Sequence, residues 1–171
     1  MTKPKLATIG YGMHTKKPTR PRAEILRGCL EEHNVSLLID TRESPWGGFW
    51  NPKKLQAIFE DSPTTYLFKE ETYAWHKVFG APKAIRTIAT TSFDMFAEAY
   101  TQTLFEKDNT CLDRLFSRMG EEELTAIMCC EPYVETRDNC HRFIIASLMV
   151  EHGYLEEDDI IHLDLDEYDT Q

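Results

Sequence analysis

No stretch of this 171-residue chain is both long and apolar enough to span a bilayer, which takes about 20 consecutive apolar residues. The N-terminus, Met1-Thr2-Lys3-Pro4-Lys5, has basic residues but lacks the apolar run of a secretory signal. Positive charge is scarce: 19 Lys and Arg stand against 29 Asp and Glu, a formal net charge of -10. This argues against a membrane partner and against nonspecific binding to nucleic acid, both of which need basic surface, while leaving room for a local basic pocket. The five cysteines (Cys29, Cys111, Cys129, Cys130, Cys140) are odd in number and irregularly spaced. That usage fits a reducing, cytoplasmic setting rather than a disulfide scaffold. There is no G-x-G-x-x-G, no Cys-x-x-Cys and no His-x-x-x-His, so neither a cofactor nor a metal is expected. Repeats, low-complexity tracts and linkers are also missing, and a single domain over residues 1–171 is the expectation.

What is present is an alternation of short apolar runs and helical periodicities. Leu6 to Gly10 reads as a strand closing on glycine, with Gly10-Tyr11-Gly12 suited to a tight turn or a close backbone approach to a ligand. Arg22 to His33 carries Ile25, Leu26, Cys29 and Leu30 at helical spacing. Val35 to Ile39 is almost continuously apolar, as a central strand covered on both faces should be, and runs into Asp40-Thr41-Arg42. The following loop holds Trp46, Phe49 and Trp50, rings that would either stack on a base or sugar or fold back over the sheet edge. Asn51-Pro52 starts a helix with Asn as N-cap. Thr65 to Phe68 is a third strand, while Lys69 to Thr91 shows no readable periodicity. Ser92 to Leu104 and Cys111 to Met119 read as helices, Leu124 to Cys130 as a fourth strand, Cys140 to His152 as a helix and Ile160 to Leu163 as a fifth strand. The acidic tail from Asp164 is expected to fray. The pattern predicts a three-layer α/β/α domain with a mainly parallel, Rossmann-like sheet of about five strands.

The chain is organised around the segment from Cys129 to Arg142. A buried strand feeds a polar loop that ends on Cys140-His141-Arg142 at a helix start. In α/β proteins such groups stand at the carboxyl edge of the sheet, where ligands bind.

Several of these elements together resemble domain-of-unknown-function family 488. They are Thr8-Ile9-Gly10-Tyr11, Leu38-Ile39-Asp40-Thr41-Arg42 with Pro45, Phe79-Gly80, Cys129-x-Glu131, Cys140-His141-Arg142 and the late Ile161-His162. The resemblance covers nearly the whole chain. It implies an α/β fold and supplies no established reaction.

Three chemistries compete for the polar set. Arg42 and Arg142 would clamp an anion such as a nucleotide or sugar phosphate, near Gly10, Tyr11 and Trp46. Asp40 and Glu131 would then serve as acid or base, and the alternative for the charged groups is plain ion pairing. Cys140 would be a nucleophile, needing as partner His14, His76 or His162, because neighbouring His141 does not face it on a helix. Cys129, Cys130, Cys140 and His141 suit zinc by type but not by spacing. Cys129 and Cys130 point to opposite strand faces, so at most one joins the set. The favoured expectation is an enzyme acting on a nucleotide, nucleoside or nucleic-acid base by hydrolysis or glycosyl transfer. Asp40, Glu131, Cys140 and His141 are its catalytic candidates. The alternative is a non-catalytic nucleotide-sensing or nucleic-acid-associated module.

Overall fold

The computed structural model describes residues 3–12, 20–45, 50–120, 122–130, 140–165 and 168. Five strands, β1 (Lys5–Gly10), β2 (Leu37–Asp40), β3 (Thr65–Leu67), β4 (Leu124–Cys129) and β5 (Ile160–Leu163), form one sheet. Its order is β3-β2-β4-β1-β5, and every pairing is parallel. Among the described residues seven α-helices accompany them: α1 (Arg20–Glu32), α2 (Pro52–Ile58), α3 (Trp75–Phe79), α4 (Lys83–Ala89), α5 (Phe93–Lys107), α6 (Cys111–Met119) and α7 (His141–Glu151). The architecture is the expected three-layer α/β fold. No helix among the described residues is long and apolar enough to cross a membrane.

Strand alternation divides the core in two. Ala7, Ile9, Leu38, Ala126 and Met128 pack with Leu26, Leu30 and Leu55 of α1 and α2. Leu6, Leu37, Ile39 and Ile127 pack with Tyr100, Leu115, Ile145 and Met149 of α5, α6 and α7. The fully buried runs of β2 and β4 are apolar but for Asp40 and Thr125, because both faces are covered.

The Asn51 cap read from sequence is in place, and Ser92 caps α5 in the same way. Asn51 accepts from the Lys54 N–H at 3.1 Å, and Ser92 from that of Met95 at 3.4 Å. Cys140 and His152 flank α7 as its N-cap and C-cap rather than lying within it. The stretch from Lys69 to Thr91 contains α3 and α4, which periodicity did not reveal. Nor does the tail fray at once, since Leu165 is buried against the α1 layer.

Candidate functional site

The topology creates a crevice. β1 and β2 lead into helices of the α1 layer, whereas β4, lying between them, leads into α7 on the other face. Neighbouring strands whose connections part to opposite faces leave a gap at their carboxyl ends. A cleft of about 200 Å³ lies there, lined by Tyr11 after β1, Arg42 to Pro45 after β2, Cys130 after β4 and His141 of α7, with Ala81 and Arg86.

Asp40 ends β2 completely buried. Its Oδ1 accepts from the backbone N–H and Nε of Arg42 at 3.1 and 2.8 Å, and its Oδ2 from Arg42 Nη2 and the Tyr66 hydroxyl, both at 2.5 Å. Those four donors match the roughly four acceptor positions of a carboxylate. Asp40 therefore positions Arg42 and has no acceptor left for acid–base work. Burial opposes the Arg42 charge, but the bonds and charge of Asp40 more than offset it and raise its pKa. Burial, reinforced by the Asp40 charge and hydrogen bond, holds the Tyr66 hydroxyl far above the ordinary tyrosine range.

Arg42 is 6% exposed and also donates from Nη1 to the Tyr11 hydroxyl at 3.0 Å. Of the five N–H groups of a guanidinium, Asp40 and Tyr11 take three among the described side chains, and two remain at the Nη1 and Nη2 end. Tyr11 is itself braced. Its ring stacks on Trp50 at 3.9 Å between centroids, and Arg22 of α1 donates to its carbonyl at 3.3 Å. Burial above all pushes its hydroxyl up to about 12, so it stays protonated at neutral pH. Trp50 is 1% exposed and is committed to this stack, folded back rather than presented to a ligand. Trp46 and Phe49 lie outside the described residues.

His141 is buried beside the end of β2. Its Nε2 is 3.1 Å from the Thr41 carbonyl and 3.2 Å from Thr41 Oγ1, and Oγ1 donates in turn to the Met128 carbonyl at 2.8 Å. A carbonyl only accepts, so these bonds assign a proton to Nε2.

Alternation sends the remaining candidates elsewhere. Cys130 faces the cleft, but Cys129 lies on the α7 side of β4, with Cys140 and Arg142. Arg142 is completely buried there, 4.6 Å from the Phe143 ring centroid, and does not line the cleft. The structure therefore does not bring Arg42 and Arg142 together; the other arginine lining the cleft is Arg86. Gly10 pairs with Cys129 at the top of the central strands. His76 is held by the Phe68 carbonyl at 3.2 Å, and His162 by Thr8 Oγ1 at 2.8 Å on the α7 face, so neither joins the cleft. Glu131 and His14 lie outside the described residues. Among the described residues no group of three or more His, Cys, Asp or Glu is placed to hold a metal ion.

The sequence reading missed Arg86, Cys130 as a cleft residue, and the support from Arg22 and Tyr66. Arg86 stands at the mouth, 3.8 Å from Glu43 and 45% exposed. Gly80 was noted, and its role is steric. A Cβ there would meet the His76 carbonyl oxygen at 2.3 Å and Glu43 Cα at 2.5 Å, so glycine lets α3 end against the cleft loop. A larger groove of about 1100 Å³ runs between α5, α7 and β5. Its walls are mainly apolar, with Glu98, Glu151 and Glu157, and among the described residues no Arg or Lys lines it.

These features define an all-parallel α/β protein with a small, cation-lined cleft at the carboxyl edge of its central strands. A protein-family profile described as Domain of unknown function DUF488 matches residues 22–149, and the chain belongs to that family. The matched segment includes Arg42, Arg86, Cys130 and His141, while Tyr11 precedes it. No curated protein and no solved structure matches the chain.

Proposed function

We propose that the chain is an enzyme acting on a small phosphate-bearing or nucleoside-like ligand, by hydrolysis or glycosyl transfer, in the cleft between Tyr11, Arg42, Cys130 and His141. The observation that carries this reading is Arg42. Its guanidinium is fixed from behind by Asp40, keeps two N–H groups and lines a cleft that also holds Arg86. A preorganised, largely buried cation of this kind recognises an oxyanion without reorganising. The cleft is smaller than the roughly 300–1,000 Å³ typical of drug-sized ligands, which suits a phosphate and its sugar better than a dinucleotide.

In this reading His141 is the general base. The Thr41 carbonyl orients its ring, and the imidazole takes a proton from the attacking water or hydroxyl. Tyr11 donates from a hydroxyl that stays neutral. Asp40 is a positioning residue rather than an acid, and Glu131, which directly follows Cys130, is a further candidate base. A non-catalytic binding module is the second reading. The saturation of Asp40 favours it, because one expected acid–base group is removed.

A thermal-shift panel of inorganic phosphate, pentose phosphates, nucleosides and nucleoside monophosphates tests the site, on wild type, Arg86→Ala and Arg42→Lys. A ligand at a hundred times its Kd adds about 2.7 kcal/mol, a shift of several degrees. The expected result is a shift with a phosphate-bearing class that shrinks in both variants. A shift indifferent to both variants, or no shift at all, removes the proposed site. Turnover lost in His141→Gln with the shift retained favours the enzyme over the binding module.

A further inference from the structure

Beneath α7, on the face of β4 turned away from the cleft, two thiols touch. Cys129 Sγ and Cys140 Sγ are 2.9 Å apart, and Nη1 of Arg142 contacts both, at 3.4 Å to Cys140. Cys129 is the last residue of β4, and Cys140 is the N-cap of α7, with an extended backbone and no side-chain cap bond. The segment between them is the connection that leaves Cys130 at the cleft and returns at His141. Two cysteines that close in sequence and space could be plain core packing, as Cys29 and Cys111 are. Those two sit singly, and burial above all pushes their thiols up to about 11 and about 12, away from reactivity. Cys129 and Cys140 differ in three respects: a second sulfur in contact, a guanidinium on both, and a helix N-terminus. Cys129 and Cys140 are as buried as the other two, so the contact between the two sulfurs and not exposure sets them apart.

We propose that Cys129 and Cys140 form an oxidisable dithiol site, which a small hydroperoxide converts to a disulfide joining the end of β4 to the start of α7. A disulfide is about 2.05 Å long, so the sulfurs close by roughly 0.9 Å. In the first step one thiolate attacks the peroxide O–O bond. Its sulfur becomes a sulfenic acid, and the other oxygen leaves as hydroxide, which is protonated to water. In the second step the partner thiolate attacks the sulfenic sulfur and expels the hydroxyl as a second water. Two thiols and one hydrogen peroxide give one disulfide and two waters, with two electrons passing from sulfur to oxygen. The partners are chosen by strand parity. Cys130 is adjacent in sequence but faces the cleft, whereas Cys129 faces the N-cap. The bond would join the end of β4 covalently to the start of α7 and take both sulfurs from Arg142.

The experiment is peptide mapping of the folded wild-type chain treated with hydrogen peroxide, blocked with N-ethylmaleimide under denaturing conditions and digested with trypsin. Cleavage after Arg118, Arg137 and Arg142 leaves Cys129 and Cys130 on one peptide and Cys140 on another. Fragmentation then assigns the bond. The expected product is a Cys129–Cys140 cross-link lacking two hydrogens, with Cys29 and Cys111 fully alkylated. In Cys129→Ser, Cys140 should instead be trapped as a sulfenic acid by dimedone, and Cys130→Ser should oxidise as wild type does. The proposal is overturned if the folded chain leaves both thiols alkylatable, if oxidation lands on Cys130, or if the cross-link forms only after unfolding in urea. Because the readout is the bond itself, it stands or falls independently of what the cleft binds.

Discussion

The hydroxyl of Tyr66 lies 2.5 Å from Asp40 Oδ2, so a side chain of the edge strand β3 helps hold the carboxylate that in turn holds Arg42. The chain Tyr66–Asp40–Arg42–Tyr11 links β3, β2 and the segment after β1 beneath one cleft wall. A hydrogen bond to a buried charge contributes about 1.5–3 kcal/mol, so Tyr66→Phe should lower stability by about that much in urea denaturation. Removing Arg42 leaves the Asp40 charge buried without its partner. Arg42→Ala should therefore be worse, by about 3–5 kcal/mol. If both variants unfold at the wild-type urea midpoint, the network is not what organises the cleft wall.

Gly80→Ala should damage both fold and site. The nearest atoms to an added Cβ are the His76 carbonyl oxygen and Glu43 Cα, which are backbone atoms that cannot rotate aside. Overpacking of this kind costs about 1–3 kcal/mol or more. Since Glu43 lines the cleft, the displaced loop should also weaken any thermal shift found with ligand. A Gly80→Ala chain with wild-type melting and wild-type ligand shift would show that α3 and this loop are not in close apposition.

How far the sequence reveals such relationships depends on what each residue is buried against. Cys111 to Met119 was readable because Cys111, Leu112, Leu115 and Met119 line one buried stripe. Trp75–Phe79 was not, because it has five residues and no side-chain cap, and Lys83–Ala89 was not, because none of its residues is buried. Missing that last helix meant missing Arg86 in the cleft. The split between Cys129 and Cys130 follows from strand alternation and was legible. Which neighbours each would meet was not, since that depends on β4 lying between β1 and β2, an order no local pattern records. Asp40 and Arg42 were recognisable as a charged pair, but the saturation of Asp40 needed Tyr66, 26 residues on.

Stability should fall at alkaline pH. Burial above all raises Cys29 from 9.0 to about 11, Cys111 from 9.0 to about 12 and Tyr11 from 10.0 to about 12. Above its ordinary value each group ionises in the unfolded chain before it does so in the folded one. The unfolded state then binds fewer protons, and stability falls with rising pH. The contribution is complete below about pH 9 and is lost by about pH 12. Urea midpoints measured across that window should decline, and Cys111→Ala should flatten the decline even though its stability at neutral pH is lower. A decline as steep in Cys111→Ala as in wild type would mean that this thiol does not contribute to it.

The tautomer of His141 can be measured before any substrate is known. Its Nε2 faces the Thr41 carbonyl and hydroxyl, so nitrogen NMR of the imidazole should show a proton fixed on Nε2. Thr41→Val keeps the shape and the carbonyl but removes the hydroxyl that bridges to Met128. That variant should keep the same tautomer, lose about 1 kcal/mol of stability and exchange its ring proton faster. If His141 is the base, turnover of a ligand identified by thermal shift should be lost in His141→Gln while its binding is kept. A ring protonated on Nδ1 instead would put the only basic nitrogen against a carbonyl, and His141 could not then serve as the base.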